Sequence, residues 1–182
     1  RAESEGVFQL ESSMFQNMLR EVKPTKFEDI VAIVALGRPG PMVMTGDFVK
    51  GKKDQACVRY PHPALERILS PTYGVMLYQE QVMQVASELA GFSLGEADML
   101  RRAMGKKKPE VIQSLEGKFM AGAQDRGVDE RVAAEVFSLI QRFAGYGFNK
   151  SHSAAYALIS YRTAYLRHYY FPEFMAATLS SW

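Results

Sequence analysis

Two basic segments carry residue types suited to holding a polyanion. The first is AGYGFNKSHSAAYA at 144–157, where Gly145 and Gly147 loosen the backbone just ahead of Lys150, Ser151 and His152. The periodicity that follows predicts a long helix starting near Ser151. Backbone N–H groups at a helix start lack intrahelical partners and carry partial positive charge, so a lysine there makes a seat for an anion. The second segment, RRAMGKKK at 101–108, falls where another helix should end. Together they point to phosphate handling.

Each segment also has a plainer reading. A P-loop requires G-x-x-x-x-G-K-[ST] between a strand and a helix. Lys150–Ser151 fits, but Ala144 and Asn149 stand at the glycine positions, and a helix precedes the loop. The full motif therefore fails, although glycines, a lysine and a helix start can still cradle a triphosphate. Taken alone, the segment favours two glycines that cap one helix and turn into the next, because short motifs match by chance. His152 shares a helix face with Tyr156 one turn on. With only His62 and His168 besides, and no carboxylate at ligand spacing, the histidines argue against zinc.

Arg101 and Arg102 follow apolar Met99 and Leu100, so at least one guanidinium points towards a buried side and needs an anion. Glu96 or Asp98 is one source; a phosphate bound bidentately is the other. Lys106, Lys107 and Lys108 lie past the helix end and suit a nucleic-acid backbone, or simply complement the helix dipole. Arg38 stands in a rigid turn between Gly37 and Pro39, which aims it, though loop arginines are commonly plain surface. The aromatic run YRTAYLRHYYFPEF has the spacing of helix packing. Clustered carboxylates of the kind two-metal phosphoryl transfer needs are missing.

The elements that must position these groups are helical almost throughout. Thr25 and Glu28 read as a capping box ahead of FEDIVAIVALG, which ends at Gly37. Pro63 starts a short helix that stops before Pro71. YQEQVMQVASELAG is a helix closed by Gly91, and Ser93 with Glu96 caps the next, closed by Gly105. Further helices begin at Pro109 and after Asp129, and Pro172 separates the long helix from a last short one. Residues 48–60, polar and basic with glycine, read as a mobile loop with at most a small hairpin. GVMLY at 74–78 is either a brief strand or the entry to its helix. The expected fold is mainly α, an irregular multi-helix assembly with at most a small hairpin.

The chain has 182 residues, 47% of them hydrophobic, enough for a core of domain size. A formal net charge of +2 leaves any nucleic-acid affinity to local clustering. The lone Cys57 excludes an internal disulfide and a cysteine zinc site and fits a reducing cytosol, so the expected location is cytoplasmic. No run reaches membrane-span length and no signal peptide is visible, so no membrane partner is expected. Arg1 at the start and Trp182 after an apolar helical pattern read as the ends of a fragment.

Five segments closely resemble one family. GVFQLES, FEDIVAIVALGRPGPM, PTYGVMLYQEQVMQVA, ADMLRRAMGKKKPE and FAGYGFNKSHSAAYALISY are similar, in the same order, to bacterial replicative DNA polymerase III alpha subunits. The likeness covers residues 6–182 and reverses the preference for a plain glycine turn. It implies that residues 1–182 are part of the polymerase fingers, the helical region that closes over the incoming nucleotide. By resemblance Arg101, Arg102 and Lys150, with neighbouring Ser151, would be partners of the triphosphate. His152 would lie beside the sugar and obstruct a 2′-hydroxyl, Arg38 would assist near the template or nucleotide, and Lys106 to Lys108 would face DNA.

The family's metal-binding aspartates, in motifs of the type PDxDxDF and KxDxLGL, occur nowhere in this sequence, and its PHP and clamp-binding parts are missing too. Mg2+ would be held outside this chain, and the 182 residues alone are expected to be inactive. Implied partners are template–primer DNA, deoxynucleoside triphosphates and, through the missing regions, other replisome subunits. Residues 42–60 match only loosely and carry no assigned site. The rival reading is a helical nucleic-acid-binding module without a nucleotide pocket, supported by Lys106 to Lys108 and the lysines at 50–53. A third, a P-loop-like nucleotidase, would need acidic ligands that are not visible.

Overall fold

The computed structural model describes residues 2–105, 109–143 and 147–181. Ten α-helices and no strand occur among the described residues, joined by short 3-10 turns. The chain divides into two compact units, one of Arg1–Thr45 with Lys150–Trp182 and one of Gly46–Asn149.

The first unit contains α1 (Ser13–Val22), α2 (Phe27–Leu36), α9 (Lys150–Tyr169) and α10 (Phe171–Ser180). Helix α2 is its core: every residue from Val31 to Leu36 is buried, as an apolar run without charge requires. Its N-terminus is capped one residue later than the sequence predicts. Lys26, not Thr25, is the N-cap, and the reaching carboxylate is Asp29, not Glu28. Asp29 Oδ2 accepts from the Thr25 and Lys26 backbone N–H groups at 2.9 and 3.3 Å. Asp29 is wholly buried, so its carboxylate satisfies donors that solvent could not reach. At the other end Gly37 has no space for a side chain, since a Cβ would stand 2.2 Å from the Phe15 ring.

Helix α9 buries Ser153, Ala157 and Ser160 on one line, small residues that let α2 approach closely. Phe27, the first residue of α2, meets Tyr161 edge-on at 6.2 Å. The buried line of α9 lies N-terminal to that point, so α2 runs back along α9 towards Lys150.

The second unit contains α3 (Thr45–Lys53, starting at the boundary), α4 (Glu66–Leu69), α5 (Gln79–Ala90), α6 (Leu94–Gly105), α7 (Pro109–Asp125) and α8 (Glu130–Phe143). Phe92, Phe119 and Phe137 form an aromatic column through its core, with centroids 6.1 and 5.3 Å apart. Asp129 caps α8, accepting from the Arg131 N–H at 2.9 Å, and Gly91 closes α5 with φ +70°, both as the sequence predicts. Val82, Val85 and Leu89 pack α5 into the centre.

Residues 48–60 are not the loop their composition predicts. Most of the segment belongs to α3, followed by a 3-10 turn at Gln55–Cys57. One apolar anchor decides this: Phe48 is fully buried and packs edge-on against Tyr73 at 5.0 Å. Gly51 allows the close approach, because a Cβ there would lie 2.7 Å from the Tyr73 carbonyl oxygen. GVMLY is the entry to α5, with a single parallel bridge from Tyr78 to Phe148.

Candidate functional site

Helix α6 begins with the capping box read from the sequence. Ser93 N–H and Oγ–H donate to Glu96 Oε2 at 2.8 and 2.9 Å, and Glu96 N–H approaches Ser93 Oγ at 3.4 Å. Glu96 Oε1 is paired with Lys118 of α7. That lysine, then the Ser93 contacts, hold the Glu96 carboxyl at about 2, well below its usual 4.5. A depressed carboxylate stabilises the fold above its ordinary value and loses that contribution as pH falls through the depressed one. The α6–α7 pairing is therefore expected to weaken between about pH 4.5 and pH 2. A carboxyl-carbon NMR titration should place the Glu96 midpoint near 2; a midpoint near 4.5 contradicts the pairing.

Two turns further on, Asp98 supplies the anion for both arginines. Its Oδ1 accepts from Arg101 Nε at 2.8 Å and Nη2 at 2.7 Å, and its Oδ2 from Arg102 Nε at 2.7 Å. The i,i+3 and i,i+4 spacing puts all three on one helix face. Arg101, first, and then Arg102 keep the Asp98 carboxyl below its ordinary range against the cost of desolvation. Of the two anions the sequence offered, Asp98 serves the arginines, while Glu96 is engaged by Lys118.

Asp98 orients the guanidinium groups without exhausting them, since each carries five N–H donors in a fixed fork. Arg101 is half-buried, and its Nη1 donates to Gln79 Oε1 at 3.2 Å. Arg102 is mostly exposed, with Nη groups directed away from its Nε contact.

Gln79, which sequence reasoning missed, is the organising residue. Its Nε2 donates to the Gly147 carbonyl at 3.0 Å, and its backbone N–H to that of Phe148 at 2.9 Å. The same side chain thus joins Arg101 to the end of the glycine segment. Gly147 has no room for a Cβ, which would lie 2.5 Å from the Phe143 ring and 3.1 Å from Gln79 Cγ. The only available signal was a polar amide at the first position of an amphipathic helix, which does not reveal a partner 68 residues away.

Lys150, Ser151 and His152 form the exposed first turn of α9 in the other unit. The His152 ring stacks on Tyr156 at 4.2 Å and 26°, as the shared face implies, and Phe8 leans on Tyr156 at 5.5 Å. The Phe8 N–H donates to Thr163 Oγ1 at 3.1 Å and fixes that ring to α9. Arg38 is exposed in the turn after α2, and the direction of α2 brings that turn to the same end of the unit as Lys150. Lys106, Lys107 and Lys108, and residues 144–146, lie outside the described residues. Among the described residues, no three or more His, Cys, Asp or Glu side chains gather to hold a metal ion, and no helix is long and apolar enough to cross a membrane.

Residues 1–127 match the family described as bacterial DNA polymerase III alpha subunit finger domain. The chain is 55% identical over 178 residues to a DNA polymerase III subunit alpha of Helicobacter pylori, covering 97% of this chain and 15% of that protein. It is 51% identical over 188 residues to the subunit of Pseudomonas aeruginosa, covering 100% of this chain and 16% of the relative. For Borreliella burgdorferi the identity is 52% over 178 residues, with 98% and 16% covered. The chain thus spans about one sixth of the length of the relatives it matches.

Proposed function

The chain belongs to the bacterial DNA polymerase III alpha subunit finger domain family, and we propose that it is the part of the fingers that seats the incoming deoxynucleoside triphosphate against template–primer DNA. In this reading residues 1–182 work within a longer cytoplasmic polypeptide that adds a nucleotide to a primer 3′-hydroxyl and releases pyrophosphate. Arg101, Arg102 and Lys150 bind the triphosphate, and Ser151 adds a hydroxyl at the α9 start. Arg38 assists beside the nucleotide, and Lys106 to Lys108 contact the DNA backbone. These cations position the phosphates and offset charge on the leaving pyrophosphate, which is most of what protein side chains contribute to phosphoryl transfer. Mg2+ belongs to this chemistry, but no described residues gather to hold it, so its ligands are placed elsewhere in the polypeptide.

The observation that carries the reading is the Gln79 tie. One amide holds both Arg101 and Gly147, and Lys150 follows Gly147 by three residues in the chain. A plain helix-capping glycine turn has no need of an arginine bound to its neighbour.

His152 supplies a direct test. Its ring is held by the Tyr156 stack, so it can act as a rigid obstacle to a 2′-hydroxyl. Replacing His152 with alanine in the full-length polymerase is expected to raise ribonucleotide incorporation relative to deoxynucleotide about 10-fold, the scale of a lost small steric contact. Competitive primer extension measures the ratio. An unchanged ratio with both rates reduced would assign the ring a structural part instead.

A further inference from the structure

Helix α9 buries one line of small residues, yet the opposite line is also apolar. Leu158, Tyr165, Leu166 and Tyr169 are 41 to 63% exposed there. Helix α10 has no buried residue at all, although six of its ten residues are apolar. A helix that is apolar all round ordinarily lies inside a larger protein. A contiguous patch rich in tyrosine, phenylalanine and leucine marks an interface. The two helices also frame a slot of about 350 Å³, lined by Leu166, Tyr170, Glu173, Phe174 and Ala177. It is large enough for a bulky apolar side chain, the usual anchor of such a contact.

We infer that the aromatic face of α9 and α10 is an intramolecular docking surface, covered by an apolar face of the longer polypeptide outside these 182 residues. The inference rests on the proposed function for the existence of that polypeptide. The relatives provide the occupant, since this chain accounts for only 15 to 16% of their length. Charge argues against nucleic acid as the cover. Helix α10 carries Glu173 and no lysine or arginine. Arg167 is engaged by Glu5 at 3.5 Å and lies over the Phe171 ring at 5.7 Å. Single-strand platforms combine aromatic rings with a cationic groove, and this face lacks the groove.

Hydroxyl-radical footprinting of the full-length polypeptide, with and without DNA, tests the assignment. Tyr165, Tyr169 and Phe171 are expected to react about tenfold more slowly than exposed aromatic residues, whether or not DNA is present. Full reactivity in both conditions would overturn the inference. Protection that appears only with DNA would assign the face to nucleic acid, and protection that appears only at high protein concentration would assign it to a second copy; either result overturns it. The readout needs no catalysis, so a failure here is distinct from a failure of the nucleotide reading, which primer extension reports.

Discussion

Replacing Lys150 with alanine in the full-length polymerase is expected to lower kcat/KM for the incoming nucleotide about 100-fold, with affinity for primer–template DNA retained. The magnitude follows from the task assigned to the lysine. A preorganised donor aimed at charge that develops in the transition state contributes about 3 kcal/mol in a site from which water is excluded. The same residue used as a DNA contact would behave differently. Its loss would weaken DNA binding for all sequences and flatten the salt dependence by about one unit of slope per phosphate. Steady-state nucleotide kinetics combined with DNA binding at several salt concentrations separate the two. Uniform loss of DNA affinity with unchanged nucleotide kinetics would favour a nucleic-acid module over a nucleotide seat. Lys150→Arg should recover part of the lost rate, since it keeps the charge at the start of α9.

The second large effect concerns the support beneath the site. Gln81 is buried on α5 and uses all four of its hydrogen-bonding positions. Its Oε1 accepts from the Leu77 and Tyr78 backbone N–H groups at 2.8 and 2.9 Å. Its Nε2 donates to the Ile68 carbonyl at 3.1 Å and to Thr72 Oγ1 at 2.7 Å. Leucine has similar volume but would leave these groups unpaired away from water, each costing about 1–3 kcal/mol before relaxation. Gln81→Leu is therefore expected to destabilise the protein by about 3–5 kcal/mol, a large share of the total stability of an ordinary domain. Gln81→Glu keeps the acceptors and should cost less. Urea unfolding measures both, and a loss below about 1 kcal/mol for Gln81→Leu would contradict this network. The segment that Gln81 fixes leads directly into Gln79, so the same variant should also loosen Arg101.

Much of the fold was legible because helix signals are local. The Ser93–Glu96 box, the Asp129 cap, Gly91 at the end of α5 and Pro172 ahead of α10 each act within a few residues. Failures arose where a distant partner decided. Residues 48–60 look like a loop by composition, yet one phenylalanine buried against Tyr73 makes most of them a helix. At α2, Thr25 and Glu28 fit a box by type, but Asp29 is the carboxylate that the buried helix end encloses. The pairing of Arg101 and Arg102 with Asp98 was within reach, because i,i+3 and i,i+4 spacing fixes it. Gln79 was not, because its bonds to Arg101 and Gly147 span 22 and 68 residues. Roles for Lys150 and His152 came from resemblance, since a lysine and a histidine in the first turn of a helix have many uses.

The most direct measurement is a structure of the full-length polymerase with primer–template DNA and an incoming deoxynucleotide. The proposed arrangement predicts Arg101 or Arg102 guanidinium nitrogens and Lys150 Nζ within about 3 Å of oxygens of the same triphosphate. A triphosphate bound by other residues, with the arginines and the lysine remote from it, would contradict the account.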